Sequence, residues 1–273
     1  MKTKQFLVTI FCVASAALFA QENNPVANPK ATVVSGNVRF TVLSPRVIRM
    51  EWSADAKFID NASLTFVNRN LPVPSYTQKE TNGVLEITTD LVKLKYKIGS
   101  GKFTENNLSA DFVVNGKTTT WKPGTPNTKN LLGTTRTLDG VDGASKEMEQ
   151  GIISRDGWYL IDDSERPLFD NSEWSWVMAR PGDKPQDLYL FAYDSDYKMA
   201  LKDYTDIAGK IAMPPRFAFG AWWSRYREYT DTEFRELVDE FKVHDVPLDV
   251  FVIDIDWHIK SLPEFFKNGQ RQR

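Results

Sequence analysis

The sequence of 273 residues has very few of the side chains that bind metals or form disulfides. It contains one cysteine, Cys12, and two histidines, His244 and His258. This scarcity excludes a small domain held together by disulfides, and it excludes a zinc site built from cysteine and histidine clusters. We therefore predict no metal site.

A charge excess of either sign and a long internal apolar run are also absent. The sequence has 34 lysines and arginines against 36 aspartates and glutamates, which gives a formal net charge of −2. A nucleic-acid-binding protein usually carries a basic excess, so this balance predicts no nucleic-acid partner. No internal apolar run reaches the roughly 18 residues that a membrane-spanning helix needs, so we predict no membrane span.

The N-terminus has the pattern of an export signal. Lys2 and Lys4 precede an apolar stretch over residues 6–19 that ends in small residues. Polar residues follow at once, which favours a signal peptide over the alternative, a buried core helix. We predict a signal peptide over residues 1–20 and an exported bacterial protein, periplasmic or secreted. Because Cys12 lies inside this signal, the mature chain is expected to form no disulfide.

Most of the remaining chain carries strand signals. Residues 21–36 are polar and contain two prolines, so they are predicted to be a flexible lead. Short segments that alternate apolar and polar residues follow, for example within 38–52 and 84–96. Such segments at short spacing predict an all-β antiparallel sandwich over residues 37–205. A helix is predicted at its end, over residues 197–208.

The pattern changes near residue 206. Residues 217–223 form an apolar run, and Thr230 with Glu233 has the spacing of a helix capping box. The helix that follows has apolar residues at core-facing spacing: Phe234, Leu237, Val238 and Phe241. The apolar run over residues 248–255 is typical of a parallel strand buried on both faces. Strand, helix and strand predict that residues 206–273 are the beginning of a (β/α)8 TIM barrel, which is incomplete.

Two acidic residues lie at the end of the second of these apolar runs. Asp254 and Asp256 are two apart, so in a strand their side chains point to the same side. They lie at the C-terminal end of the strand, where α/β barrels place their active sites. The alternative is a pair of acids that caps the next loop or binds an arginine. Their spacing does not make them a catalytic pair, because glycosidase carboxylates must flank the scissile bond.

Aromatic and charged residues near these acids are further candidates for ligand binding. Trp257 is either a stacking platform for a sugar ring or a packing residue at the barrel rim. Trp222, Arg225 and Tyr226 end the first apolar run and are predicted to lie at the same barrel mouth, with core packing as the alternative for Trp222. Asp156 lies in a glycine-bounded turn, which is either a loop over the barrel mouth or, as the residues favour, an ordinary hairpin.

The combined barrel segments have a family resemblance. Residues 217–226 (FAFGAWWSRY) and 246–257 (VPLDVFVIDIDW) closely resemble the start of the catalytic barrel of glycoside hydrolase family 31, the retaining α-glucosidases, α-xylosidases and relatives. Upstream, residues 133–143 and 151–164 resemble sandwich segments of one branch of that family. The resemblance covers about residues 36–257. It implies an exported retaining α-glycosidase of carbohydrate metabolism that acts on an α-linked oligosaccharide or polysaccharide and needs no cofactor.

The resemblance also implies roles for individual residues. Asp254 matches the aspartate that binds hydroxyls of the sugar at the cleaved end, and Tyr226 matches an aromatic residue that lines the same pocket. Asp156 loosely matches an acidic residue that a sandwich loop contributes there. Asp256 and Trp257 fit supporting and rim positions.

The sequence departs from the family in length. About 59 residues follow the Pro214-Pro215 linker, whereas a complete barrel takes about 250. The resemblance places the nucleophile and the acid/base residue later in the barrel, so no catalytic residue is assigned here. We expect a fragment of the enzyme that is inactive by itself. The alternatives are a non-catalytic carbohydrate-binding β-sandwich protein and an unrelated α/β sugar-binding enzyme.

Overall fold

The computed structural model describes residues 23–133 and 148–255, together with the backbone of residues 266–267 and 270–271. The chain divides into two compact units, Met1–Lys210 and Ile211–Arg273. The predicted signal peptide lies outside the described residues. Among the helices of the described part, we find none with the length and apolar character needed to cross a membrane.

The first unit is an antiparallel β-sandwich, as the sequence predicts. Its strands are β1 (Thr32–Ser35), β2 (Val38–Ser44), β3 (Val47–Trp52), β4 (Tyr76–Thr81), β5 (Val84–Thr89), β6 (Val92–Lys97), β7 (Leu108–Val114), β8 (Lys117–Trp121), β9 (Trp158–Asp162), β10 (Leu168–Phe169), β11 (Val177–Met178) and β12 (Gln186–Ala192). Two five-stranded sheets have the orders β1-β2-β3-β12-β9 and β4-β5-β6-β7-β8, and β10 pairs with β11.

Local sequence explains the second sheet well. Alternate residues of β5, Leu85 and Ile87, are fully buried, while their neighbours along the strand are less so. The hairpin from β4 to β5 turns at Asn82 and Gly83, whose φ angles of 51° and 74° are both positive. Two positive φ angles in a two-residue loop define a type I′ turn, which asparagine followed by glycine favours. These two residues therefore account for the hairpin between β4 and β5.

The sandwich core lies between the two sheets. Both sheets contribute fully buried apolar side chains to one cluster, including Phe40, Ile48, Met50, Leu85, Ile87, Leu94 and Trp121. Burying a side chain of this size contributes about 1.5–3 kcal/mol relative to leaving it in water. This cluster is therefore the main source of stability for the sandwich.

The first sheet is buried on its outer face as well. Tyr189 of β12 stacks on Phe66 with ring centroids 3.7 Å apart. Helix α1 (Tyr197–Ala208) covers the same cluster with Ala200 and Ile207. Because both faces are covered, β2, β3 and β12 are almost continuously buried and lack a clean alternation. The predicted helix over residues 197–208 is confirmed.

The predicted flexible lead over residues 21–36 is corrected by the structure. Pro29–Ala31 forms a 3-10 turn, and the whole of β1 pairs with β2. Further upstream, the amide of Asn24 donates to the carbonyl of Val67 at 2.9 Å. The sheet satisfies the backbone hydrogen bonds of this segment, which polar composition alone does not indicate.

The predicted boundary between residues 205 and 206 is also corrected, because it would cut through α1. This helix continues to Ala208, and the buried Ile207 belongs to the core of the first unit. The carbonyl of Ile207 also accepts hydrogen bonds from the amides of Val67 and Asn68. The first unit extends accordingly to Lys210.

The second unit contains short elements. They are a 3-10 turn (Arg216–Phe219), β13 (Trp222–Trp223), α2 (Asp231–Val243), β14 (Val250–Phe251), β15 (Phe266–Lys267) and β16 (Gln270–Arg271). Strands were expected over most of residues 217–223 and 248–255, but both predicted strands are longer than the observed ones. Ile253 and Ile255 are more than half exposed, so the second run is not buried on both faces. A two-stranded sheet with one helix lacks the neighbours that would extend and cover such strands.

Candidate functional site

The second unit contains a parallel strand pair joined by a helix. Trp222 of β13 lies opposite Val250 of β14, and Trp223 lies opposite Phe251, in parallel register. The amide of Val252 continues the pairing by donating to the carbonyl of Trp223 at 2.9 Å. Because the strands are parallel, the segments that follow them leave the sheet at the same edge. We call this edge, with residues 224–226 and 252–254, the C-terminal edge.

Local signals at its N-terminus fix where α2 begins. The Thr230 hydroxyl accepts the Glu233 amide at 3.2 Å, and the Glu233 carboxylate accepts the Thr230 amide at 2.7 Å. The bonds that the Thr230 amide and hydroxyl donate to the Glu233 carboxylate lower the pKa of Glu233. Tyr229, just before the cap, packs against Phe234 with ring centroids 5.0 Å apart, as in a hydrophobic staple. The predicted capping box is confirmed.

Aromatic side chains hold α2 against the strand pair. Trp223 stacks on Phe251 at 4.7 Å between centroids, and Phe241 meets Trp223 edge-on at 6.3 Å. All other residues of α2 are exposed. Only the four residues of the predicted apolar stripe are half-buried: Phe234, Leu237, Val238 and Phe241. Of the two adjacent tryptophans, Trp223 is therefore a packing residue. Trp222 remains 55% exposed, and its indole N–H donates to the carbonyl of Ala218 at 3.2 Å, toward the segment before β13.

Tyr226 and Asp254 occupy equivalent places at the C-terminal edge. Each lies three residues after the last paired position, Trp223 for one and Phe251 for the other. Arg225 and Tyr226 are exposed and Asp254 is half-buried. The carboxylate of Asp254 accepts the amide of Ile255 at 2.7 Å. The register thus brings the two segments to one edge, as the sequence predicts, while the binding roles of these residues stay predictions.

A close contact before β13 was missed by sequence reasoning. The carboxylate of Asp249 accepts the amide of Ala221 at 2.9 Å. Its side-chain atoms lie where a Cβ at residue 220 would be, so Gly220 leaves the space that Asp249 fills. The sequence feature that could have indicated this contact is the presence of Gly220 in the first apolar run and of Asp249 in the second. Asp249 therefore ties the start of β13 to the segment before β14.

Asp156 lies in the first unit, in a tight turn. Its carboxylate accepts the amide of Lys129 at 2.9 Å, and its own amide donates to the hydroxyl of Ser154 at 3.0 Å. Gly157 follows with φ of 75°, where a Cβ would overlap Val114. These contacts give Asp156 a structural role in a hairpin-like turn, the alternative that the residues favoured. A role in ligand binding stays a prediction.

Two further predicted binding residues, Asp256 and Trp257, lie outside the described residues, and their roles stay predictions. Over residues 23–133 and 148–255, no group of three or more histidine, cysteine, aspartate or glutamate side chains is placed to hold a metal ion. What the C-terminal edge offers is a carboxylate, a phenol and a guanidinium. These groups are suited to hydrogen bonds with hydroxyls and to contact with an apolar ring face.

A buried charged cluster of the first unit was not expected from the sequence. Arg49 bonds both Asp187 and Glu51, and Arg180 bonds both Asp187 and Asp163. Burial raises the pKa of Asp187, but the neighbouring arginines, Arg49 first, together outweigh it and hold this pKa at about 2. Burial raises the pKa of Asp163 and of Glu51. All five side chains are sealed from solvent, so the cluster is structural.

Comparison with known proteins connects the strand pair to an enzyme family. Residues 211–271 match the family model described as the glycosyl hydrolases family 31 TIM-barrel domain. The α-xylosidase XylQ of Lactiplantibacillus pentosus is 26% identical over 235 residues, which cover 83% of this chain and 27% of that protein. Alpha-glucosidase 2 of Bacillus thermoamyloliquefaciens is 41% identical over 71 residues, covering 26% of this chain and 9% of that protein.

Solved structures agree in fold. A family 31 dextranase of Flavobacterium johnsoniae, complexed with glucose, has a TM-score of 0.55 at 18% identity and covers 88% of this chain and 35% of its own. A family 31 α-xylosidase from a soil metagenome, complexed with xylose, has a TM-score of 0.53 at 15% identity, with 82% and 40% covered. These findings support a member of glycoside hydrolase family 31. The chain spans less than half the length of each of these four relatives.

The family match includes the whole described site. The 211–271 segment contains β13, α2 and β14, together with Tyr226 and Asp254. The similarity to XylQ extends over 83% of the chain and therefore includes much of the sandwich. The resemblance stated from the sequence is confirmed at the level of the family.

Proposed function

We propose that this chain is the N-terminal part of an exported retaining α-glycosidase, with β13, α2 and β14 as the first unit of a (β/α)8 barrel. The observation that supports this most is the parallel register that leads Tyr226 and Asp254 to one edge. Barrel enzymes build their active sites at that edge from the loops after the strands. The position of both residues inside the segment matched by the family adds support.

The proposed ligand is an α-linked oligosaccharide or polysaccharide. Asp254 accepts hydrogen bonds from hydroxyls of the sugar at the cleaved end, and Tyr226 contacts the ring. We further propose that Arg225 and Trp257 contact the ligand at the rim of the pocket and that Asp256 supports the residues that bind it. Relatives in the family include structures of a dextranase with isomaltotriose and of an α-xylosidase with xylose, which suggests glucose or xylose units.

The proposed reaction is a double displacement at the anomeric carbon. A carboxylate attacks that carbon while a carboxylic acid protonates the departing glycosidic oxygen, which leaves a glycosyl–enzyme ester. Water then attacks the same carbon, the second residue takes its proton, and the sugar leaves with its original configuration. No described residue is assigned to either carboxylate, so we propose that these 273 residues bind a sugar but do not hydrolyse a glycoside by themselves.

Two assays test the parts of this proposal separately. The 273-residue protein should release no 4-nitrophenol from 4-nitrophenyl α-glucoside or 4-nitrophenyl α-xyloside. A single turnover above background would contradict the proposal that it is inactive. A protein that also carries a complete barrel should release sugar, and NMR of the first product should give the α-anomer. A β-anomer would contradict the retaining mechanism, and sugar binding without release would favour a binding protein.

Titration calorimetry with isomaltotriose and with xylose tests the proposed pocket. Asp254→Ala should weaken binding at least about tenfold, because it removes a charge-assisted hydrogen-bond acceptor. Asp239→Ala is the matched control, since Asp239 is an exposed aspartate of the same unit that pairs with Lys242. Equal affinities of the two variants would exclude Asp254 from the binding site.

A further inference from the structure

The first unit exposes two tryptophans on the turn between β10 and β11. Trp174 is 89% exposed and Trp176 is 73% exposed, more than any other tryptophan of the described part. Tryptophan is among the most highly buried side chains on average, because its large apolar rings are costly to hydrate. Two of them on one short turn therefore need an explanation by a ligand or a partner.

The turn that carries them is held in place by one carboxylate. Asp170 accepts the amides of Ser172 at 3.2 Å and of Trp176 at 3.0 Å, and the hydroxyl of Ser172 at 2.6 Å. The amide of Asp170 also donates to the carbonyl of Trp176 at 2.8 Å. These bonds lower the pKa of Asp170, chiefly through the hydroxyl of Ser172, so its carboxylate stays charged in mildly acidic solution. A turn ordered in advance loses less entropy when a ligand binds.

The chemistry around the two indoles is polar and acidic. Asn171, Ser172, Glu173 and Ser175 are all exposed, so the same turn carries amide, hydroxyl and carboxylate groups. The side-chain amide of Asn61 donates to the side-chain oxygen Oδ1 of Asn171 at 3.3 Å, and Asn171 itself is exposed. A sugar ring has the matching pattern, an apolar C–H face bordered by hydroxyls.

The same composition disfavours other classes of partner. Residues 168–178 contain two acids, Asp170 and Glu173, and no lysine or arginine. A nucleic acid or an anionic membrane surface would be repelled by this charge. Val177 and Met178 directly after Trp176 are also partly exposed, so an apolar protein partner is an outcome that the test must separate from a sugar.

We propose that Trp174 and Trp176 form a carbohydrate-binding surface on the sandwich, for a neutral α-linked glucan whose rings stack on the indoles. The choice of an α-linked glucan rests on the proposed function. The sandwich then holds a polymeric substrate.

Affinity electrophoresis in gels containing soluble α-glucan, with calorimetry using maltoheptaose and isomaltoheptaose, tests this surface in the 273-residue protein. Trp174→Ala and Trp176→Ala should each weaken binding about tenfold, the scale expected for loss of one aromatic contact. Trp174→Phe should retain part of the affinity. Leu64→Ala removes another exposed apolar side chain of the first unit and should bind like the unchanged protein.

Three outcomes would overturn the proposal of a carbohydrate-binding surface. They are failure of the unchanged protein to bind either glucan, unchanged affinity of both alanine variants, and self-association that sedimentation shows to depend on Trp174. Binding that survives Asp254→Ala but is lost in Trp174→Ala supports it. The proposed function is judged by glycoside hydrolysis in the protein with a complete barrel, so the two proposals can fail independently.

Discussion

Arg49 and Asp187 form a two-point ion pair inside the β-sandwich. Arg49 Nε lies 2.8 Å from Asp187 Oδ1, and Arg49 Nη2 lies 2.8 Å from Asp187 Oδ2. The side chains are only 1% and 3% exposed, so neither charge is hydrated. The pair connects β3 to β12, and Arg180 reaches the same carboxylate from the loop before β12. One carboxylate thus holds two buried guanidinium groups.

Removing this carboxylate should destabilise the first unit strongly. Asp187→Ala leaves Arg49 and Arg180 without a shared partner in the interior, and an uncompensated buried charge costs about 3–5 kcal/mol. Urea unfolding monitored by circular dichroism measures the change. Asp111→Ala is the control, because Asp111 pairs with the partly exposed Lys95 and should cost about 0–1 kcal/mol. Similar losses in the two variants would contradict a special role for the buried pair.

Because of the same ion pair, the stability of the protein should depend on pH in the acidic range. The pKa of Asp187 is about 2 in the folded protein and about 3.9 in an unfolded chain. Because the folded value is the lower one, the stabilisation is complete above about pH 4 and is lost as the pH falls toward 2. Thermal unfolding between pH 2 and 7 should show this loss. In Asp187→Asn, the slope over that acidic range should be shallower, and an equal slope would rule out Asp187 as its source.

The sandwich could be predicted largely because its signals are local. The alternation of Leu85 and Ile87, and the turn at Asn82 and Gly83, are short-range patterns that the structure reproduces. The buried charges could not be predicted in the same way. Arg49 lies in a strand whose second face is covered by segments far away in the sequence, and alternation alone does not say what covers a face.

The candidate site was predictable in position but not in extent. The parallel register places Tyr226 and Asp254 after equivalent strand positions, which the order of strand, helix and strand already implied. The strands themselves are shorter than their apolar runs, because Arg216–Phe219 forms a 3-10 turn and β14 is paired with β13 alone in the described part. The apolar residues of a run indicate which side chains a complete fold would bury. The length of a strand depends instead on the neighbouring strands with which it can pair.

Export predicts a defined mature N-terminus. If residues 1–20 are a signal peptide, cleavage follows Ala20, and the protein recovered from the periplasm or medium should begin at Gln21. N-terminal sequencing or intact mass measurement decides this. Ala20→Arg should block cleavage, since signal peptidase sites need a small residue there. Val26→Arg, beyond the site, is the matched control and should be processed normally. A mature protein that retains Met1 would contradict the signal.

The contact between Gly220 and Asp249 can be tested by a double-mutant cycle. Gly220→Ala places a methyl group on the Asp249 carboxylate, and the φ of −86° at residue 220 means that the cost is steric rather than conformational. This variant should lose about 1–3 kcal/mol, the range for overpacking, and hydrogen exchange of α2 should become faster. Asp249→Ala alone loses the hydrogen bond to the Ala221 amide. In the double variant the new methyl group no longer overlaps a carboxylate, so the loss of stability should be smaller than the sum of the two single losses. Additive losses would show that the two residues do not interact, and β13 would then be positioned by its pairing with β14 alone.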